Sequence, residues 1–257
     1  MKTKAILIVV LCLALSATTK ASQVSLSEDF FIMHLDYNYY DTTKDVLPLL
    51  LKYDLSHLWT TDFQKFTYGY IGPDFQRLFV HIESAKKDTV NSRGYRVVGK
   101  TRVKENICSF SGTFTLQKAV IQKVFEFPHV LQGAVVGTFE LHEEKNQKGS
   151  GTFQGLFITH WFVDSLGQIA YDSLAAVADG YSNNLFSGSW RSYKTESEKV
   201  CNWGDFRVPY SEDLDVGTGE FAPDMKWAKN GWQTYIDGYL RGDPSARKIE
   251  QIQWWKK

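Results

Sequence analysis

The sequence predicts a mainly β protein, an antiparallel β-barrel with helical decorations N-terminal and C-terminal to it. Three observations carry this expectation. First, a glycine, a small hydroxyl residue and an aromatic ring recur in that order at Gly112-Thr113-Phe114, Gly137-Thr138-Phe139, Gly151-Thr152-Phe153 and Gly188-Ser189-Trp190. Residues i and i+2 of a strand share a face, and a glycine there admits a neighbouring ring and lets the strand bend. Second, apolar and polar residues alternate from about residue 76 to about residue 207, the pattern of half-buried strands. Third, turn-rich breaks such as Glu144–Gly149 and Asp164–Gly167 divide this region into eight or nine runs. That number closes an antiparallel barrel or fills a sandwich, and the paired glycine and aromatic positions favour the barrel.

Taken in chain order, Lys2 and Lys4 precede an apolar run from Ala5 to Leu15, and Thr19-Lys20-Ala21 offers a cleavage site, with Ala14-Leu15-Ser16 as an earlier one. This is the order of a secretory signal peptide over residues 1–21, and the run is shorter than the ~18 residues of a membrane span. Residues 22–257 read as one domain without a linker. Thr43–Leu58 reads as helical, with Asp41 or Thr42 as cap and Pro48 in an early turn. Strands follow at Arg77–Ser84 and Tyr95–Lys104, and around Cys108, Phe110, Gly112, Phe114 and Leu116. More are read around Val135–Leu141, Phe153–Trp161, Gln168–Asp172, Phe186–Trp190 and Lys199–Val208. Trp232, Tyr235, Ile236, Tyr239 and Leu240 return to helical spacing, and Ile249–Trp255 is compatible with helix or strand. Thr152–Asp164 is apolar on both faces, which calls for a covering helix outside or a cavity inside.

Loss of residues 1–21 removes three lysines and no acids, leaving 26 basic against 29 acidic residues. That balance gives no general attraction for nucleic acid. Cys108 and Cys201 remain, and in an exported chain the pair is expected to form a disulfide, worth ~4–5 kcal/mol through the unfolded state; two buried thiols are the alternative.

Gly94-Tyr95-Arg96-Val97-Val98-Gly99-Lys100-Thr101 matches the phosphate-loop pattern, but its interior is strand-forming and no helix start follows. Asp213, Asp215 and Glu220, with Gly217 and Gly219, are spaced like a small Ca²⁺ loop but lack the EF-hand order, so the segment reads as an acidic turn. Histidines 34, 57, 81, 129, 142 and 160 form no metal motif, and no nucleophile elbow is present. Among the aromatics, Trp161, Trp190, Tyr193 and Trp203 combine a broad apolar face with a polar tip and are the candidate ligand-binding residues.

Asn184-Leu185-Phe186-Ser187-Gly188-Ser189-Trp190, with its sister repeats, resembles the strand grammar of avidin-like and lipocalin-like barrels. That resemblance implies a barrel carrying a small ligand. Gly69-Tyr70-Ile71-Gly72 with Gln76-Arg77, the run Gly99–Cys108, and Cys201-Asn202-Trp203-Gly204-Asp205 are similar to a group of uncharacterised bacterial secreted proteins, which implies no activity.

The expected function is therefore an exported protein, periplasmic or extracellular, whose barrel holds a small apolar or amphipathic ligand without cofactor or chemistry. Asp205–Glu220 would be its lid or rim. A glycan-acting enzyme using carboxylates such as Asp164, Asp213, Asp215 or Glu220 is one alternative, and a filled scaffold or interaction module is another.

Overall fold

The computed structural model describes residues 28–123 and 127–256, so the expected signal segment over residues 1–21 lies outside the described residues. Helix α1 (Glu28–His34) and the short strand β1 (Tyr40–Asp41) come first, followed by α2 (Leu47–Leu50). Two 3-10 turns, Ser56–Leu58 and Asp62–Phe66, lead into β2 (Thr67–Ile71) and β3 (Gln76–Lys87). Then come β4 (Gly94–Val103), β5 (Asn106–Gln122), β6 (Leu131–Glu143) and β7 (Gly151–Val163). β8 (Ile169–Tyr171), β9 (Asn183–Ser192) and β10 (Glu198–Asp205) complete the sheet. A 3-10 segment, Met225–Asn230, precedes α3 (Gln233–Tyr235), a π-helical turn Ile236–Leu240 and α4 (Pro244–Glu250).

The strand expectations from Arg77 onward meet β3 to β10, but β2 is an addition, its alternation hidden because Gly69 stands between Tyr68 and Tyr70. The expected helix over Thr43–Leu58 shrinks to α2 and one 3-10 turn. Asp45 explains part of this. Its Oδ1 accepts from Leu47 N (2.9 Å) and from Ala119 N (3.0 Å), tying the segment to β5 rather than to a longer helix.

Hydrogen bonds close eight strands into a ring in the order β2–β3–β4–β5–β6–β7–β9–β10, but the strands do not stand evenly round an axis. The expected barrel is therefore corrected to a mainly β, uneven ring with helices. The register shows where evenness is lost. β2 and β3 share only Tyr70↔Arg77 and Ile71↔Gln76. Beyond that seam the amide of Gln64 stands in for a strand, accepting from Ile82 N (2.7 Å) and donating to Ile82 O (3.1 Å). Register shifts at Ile82/Ser84, Leu116/Lys118 and Trp203/Asp205 bend the neighbouring strands. β7 then leaves β9 after Ile158 and pairs with β8, which lies off the ring.

The glycines do more than accompany their own rings. Gly99 faces Phe110, Gly133 faces Trp161, Gly137 faces Phe157 and Gly155 faces Phe139, each directly across a strand pair. A Cβ on Gly137 would stand 2.5 Å from Phe157 Cε1 and 2.4 Å from Thr115 O, so the ring occupies the space that a side chain would take. Phe157 and Phe139 join a continuous aromatic column inside the ring. Trp203 stacks on Phe186 at 4.8 Å, Phe186 on Phe157 at 5.5 Å, and Phe157 meets Phe114 at 5.2 Å. Trp59, carried in by the segment before β2, closes the column against Phe114 (5.1 Å) and Tyr95 (5.0 Å). Its Nε1 donates to Thr159 Oγ1 (2.9 Å). The interior is packed, with that end shut.

Three other findings position the outside. α1 explains the doubly apolar strand, because Phe30 and Leu35 bury against Val136, Leu156 and Ile158 on the outer face. Asp205–Glu220 is not a lid: Val208, Leu214 and Phe221 pack with Trp232, Tyr235 and Tyr70 in a separate outer cluster. The C-terminal helices are pinned by Arg77, whose guanidinium donates to both Glu250 oxygens (2.8 and 2.6 Å) and lies over Phe79 at 4.2 Å. The expected disulfide is also corrected. Cys108 and Cys201 are separate buried thiols with no sulfur pair at bonding distance. Burial pushes the Cys108 thiol up to about 11 and Cys201 well above its ordinary value, so both stay protonated.

Gly137→Ala is expected to lower the unfolding free energy by ~1–3 kcal/mol, because ring and backbone must both give way. Urea denaturation checks this, and an unchanged midpoint would show that the ring yields freely.

Candidate functional site

The two ends of the ring differ. At the shut end a polar network lies under Trp59. Asp205 accepts from Thr67 Oγ1 (2.5 Å), Asn184 Nδ2 (2.9 Å) and Tyr171 OH (3.1 Å). Asn184 also donates to Leu58 O (3.0 Å), so the network ties the plug to β2, β8, β9 and β10. Burial pushes the Asp205 carboxyl up to about 7, and the three donors only partly offset that. The space beside it holds about 10 Å³, too little for a ligand, so this end is structural.

The other end opens into a cleft of about 750 Å³. Its inner lining includes Glu143 at the end of β6, Thr101 on β4, Phe153 on β7 and Trp190 on β9. Strand alternation brings them there, since Glu143 continues the inward face of Phe139 and Leu141. Glu143 is only 5% exposed. Its Oε1 accepts from the Thr101 hydroxyl, and its Oε2 from Gly151 N (2.8 Å) and Trp190 Nε1 (3.0 Å). Burial raises its pKa above the usual carboxylate range, against the pull of those donors. Gly151 completes the arrangement: a Cβ there would lie 2.6 Å from Trp190 Cε2, so the indole rests on bare backbone.

The rim carries Lys104, Lys148 and Lys199 with Asp74 and Glu105. Asn106, Asn230 and Gln76 also line it, each with its amide nitrogen bonded within the protein, to Cys108 Sγ, Asp74 O and Asn230 O. Opposite charges are nearly balanced, so the cleft has no strong preference for an ion. Its surface combines apolar and polar groups around one indole.

Of the four expected ligand-binding residues, Trp190 alone lines this cleft. Trp161 is 1% and Trp203 2% exposed, and both belong to the packed interior. Tyr193 lies on the outside, its OH accepting from Thr152 Oγ1 (3.1 Å) with Lys145 over its ring at 5.6 Å. The carboxylates proposed for catalysis serve loops. Asp164 accepts from Leu166 N and Gln168 N (both 2.9 Å), and Asp213 pairs with Lys226 at 3.5 Å; Glu220 is exposed. In the acidic turn Asp213–Glu220, whose spacing is like that of a small Ca²⁺ loop, Arg207 is the positive group at the centre. Its guanidinium donates to Asp215 Oδ2 (2.6 Å), Gly217 O (3.0 Å) and Gly219 O (2.5 Å). The phosphate-loop pattern is strand β4. His160 accepts or donates to Tyr40 OH (3.0 Å), and burial pushes it down to about 4. Among the described residues no cluster of histidine, cysteine and acid could hold a metal ion.

The sequence hides Glu143, because Glu143-Glu144 reads as the solvated start of a turn. Its position two residues after Leu141 on an inward face was the available signal.

No protein-family model matches the chain, and neither a curated protein nor a solved structure matches it. The resemblances to avidin-like or lipocalin-like barrels and to a bacterial secreted group are thus overturned, as the uneven ring also requires. With the barrel goes the expected carriage of an apolar or amphipathic ligand within it, since aromatic rings occupy that interior.

Asp205 also sets a pH dependence. The folded state holds a proton that the unfolded chain releases above about 3.8, so its stabilisation is complete below that pH and is lost as pH rises through about 7. Half-buried His81 and His160, both pushed down to about 4, act oppositely between about 4 and 6.5. Relative to Asp205→Asn, the wild type is expected to lose up to ~4 kcal/mol between pH 4 and pH 8. Paired denaturant titrations across that range check it; a constant difference would refute the assignment.

Proposed function

We propose that the protein is exported and that its open-end cleft binds the terminal sugars of a glycan, without cleaving them. The observation that carries this reading is Trp190, an indole at the cleft whose polar edge is already bonded to Glu143. A ligand is left with the apolar face of the ring, and sugars present C–H groups to such a face while their hydroxyls seek polar partners. The rim supplies donors from Lys104, Lys148 and Lys199 and acceptors from Asp74, Glu105 and the side-chain oxygens of Asn106, Asn230 and Gln76, whose amide nitrogens already donate to Cys108 Sγ, Asp74 O and Asn230 O. A near-neutral charge balance suits a neutral polyhydroxylated ligand better than a polyanion or a polycation. The signal-type N-terminus supports a compartment where glycans are displayed. Glu143 has its oxygens engaged by three protein donors, which favours a role in holding the site over attack on a bond.

The test is calorimetric titration of the protein from residue 22 onward with cellotetraose, chitotetraose, xylotetraose and β-1,4-galactotetraose. At least one is expected to bind, and Trp190→Ala is expected to weaken it roughly tenfold, the scale of one aromatic contact. Absence of binding across the four, or binding that ignores Trp190→Ala, would overturn the reading. Secretion of the full chain, with the mature N-terminus at Ser22, checks the export.

A further inference from the structure

Trp190 is held from two directions. Its Nε1–H donates to Glu143 Oε2 at 3.0 Å, and its ring lies against Gly151, where a Cβ would come within 2.6 Å of both Cε2 and Nε1. The same Glu143 oxygen accepts from Gly151 N at 2.8 Å, so one carboxylate oxygen joins the backbone under the ring to the edge of the ring itself. Thr101 Oγ1 bonds the second oxygen from β4, fixing the carboxyl plane across the cleft from β9. An indole has a single polar atom, and here it is spent inside the protein.

We infer that Glu143 is the positioning residue of the cleft: it locks the Trp190 indole so that only its π-face is offered, restricting the ligand to pyranose rings with an uninterrupted C–H face. This inference rests on the glycan reading of the cleft. It explains why a carboxyl is kept in a nearly dry place at the cost of desolvation. A free indole N–H would reward any hydroxyl, whereas a tied one rewards shape and apolar contact. The titratable groups packed against Glu143 are Cys108 on β5 and Cys201 on β10, both thiols that burial keeps protonated. Lys104, Glu105 and Lys148 stand on the turns above it, with Lys199 on β10 and Asp74 before β3.

The experiment uses ¹⁵N-indole spectra together with titration of the four tetrasaccharides. The Trp190 signal is identified as the one missing from Trp190→Phe. Glu143→Ala is expected to shift that signal and to weaken the bound tetrasaccharide roughly tenfold. Glu143→Gln can still accept from Trp190 and Gly151 through its carbonyl oxygen, while the Thr101 hydroxyl turns to accept from its amide. It is expected to stay within about twofold of wild type, the rescue that a merely structural carboxylate would not predict. If Glu143→Ala does not fold, the Trp190 signal is compared between the wild type and Glu143→Gln. It is expected to shift there, because a neutral amide oxygen replaces the carboxylate as the acceptor of its N–H. An indole signal unchanged in Glu143→Ala, or unchanged in Glu143→Gln, would overturn the inference even if a sugar binds. A signal that responds as expected while none of the four sugars binds would instead overturn the glycan reading and leave the tether standing.

Discussion

An aromatic ring of one strand lying over a glycine of the next is the contact on which this structure depends. Four such pairs face each other directly across the strand pairs β4–β5 and β6–β7. A glycine in a strand is costly, since it gives up chain entropy and leaves a gap in the sheet. A ring from the neighbouring strand fills that gap, excluding water from the backbone and allowing close curvature. The inward faces are therefore crowded with Phe and Trp without overfilling, because each large side chain is set against a missing one.

The crowding has a consequence for closure. A ring of eight strands with an empty or lightly filled centre can be regular, but this one must accommodate Trp59 and its supporting segment as well as the aromatic column. The sheet yields at its weakest seam, between β2 and β3, where two register pairs and the Gln64 amide do the work of a full ladder. One end is consequently shut and polar beneath its plug, while the other keeps a cleft. The difference between the ends, rather than the closed hydrogen bonding, places the candidate site.

Both ends contain a buried carboxyl, and they are used differently. Asp205 is enclosed by hydroxyl and amide donors that stitch four strands and the plug together, so its protonation is a matter of folding. Glu143 is bonded by comparable donors, yet it borders the cleft and holds the indole there. The same chemistry serves stability where no space adjoins it and presentation where space does. The cysteines contribute as small buried groups beside Glu143 rather than as a bridge.

What the residues determined by themselves was local. Alternation along Cys108–Leu116 or Val135–Leu141 specifies a strand and its inward face, because the period of two is a property of the backbone. The glycines likewise announced close approach, and the doubly apolar β7 announced a cover, found in α1. β2 escaped because a glycine between two tyrosines carries no alternation of hydrophobicity. Tertiary structure alone decided the rest. Which ring covers which glycine depends on register between strands, and whether a closed sheet is even depends on what fills it. Trp161, Trp190 and Trp203 are alike in sequence, but depth within the ring buries two and leaves one at a cleft. Glu143 became part of the site only when β4, β7 and β9 brought Thr101, Gly151 and Trp190 to its two oxygens. Such convergence is a distance in space, and no spacing along the chain encodes it.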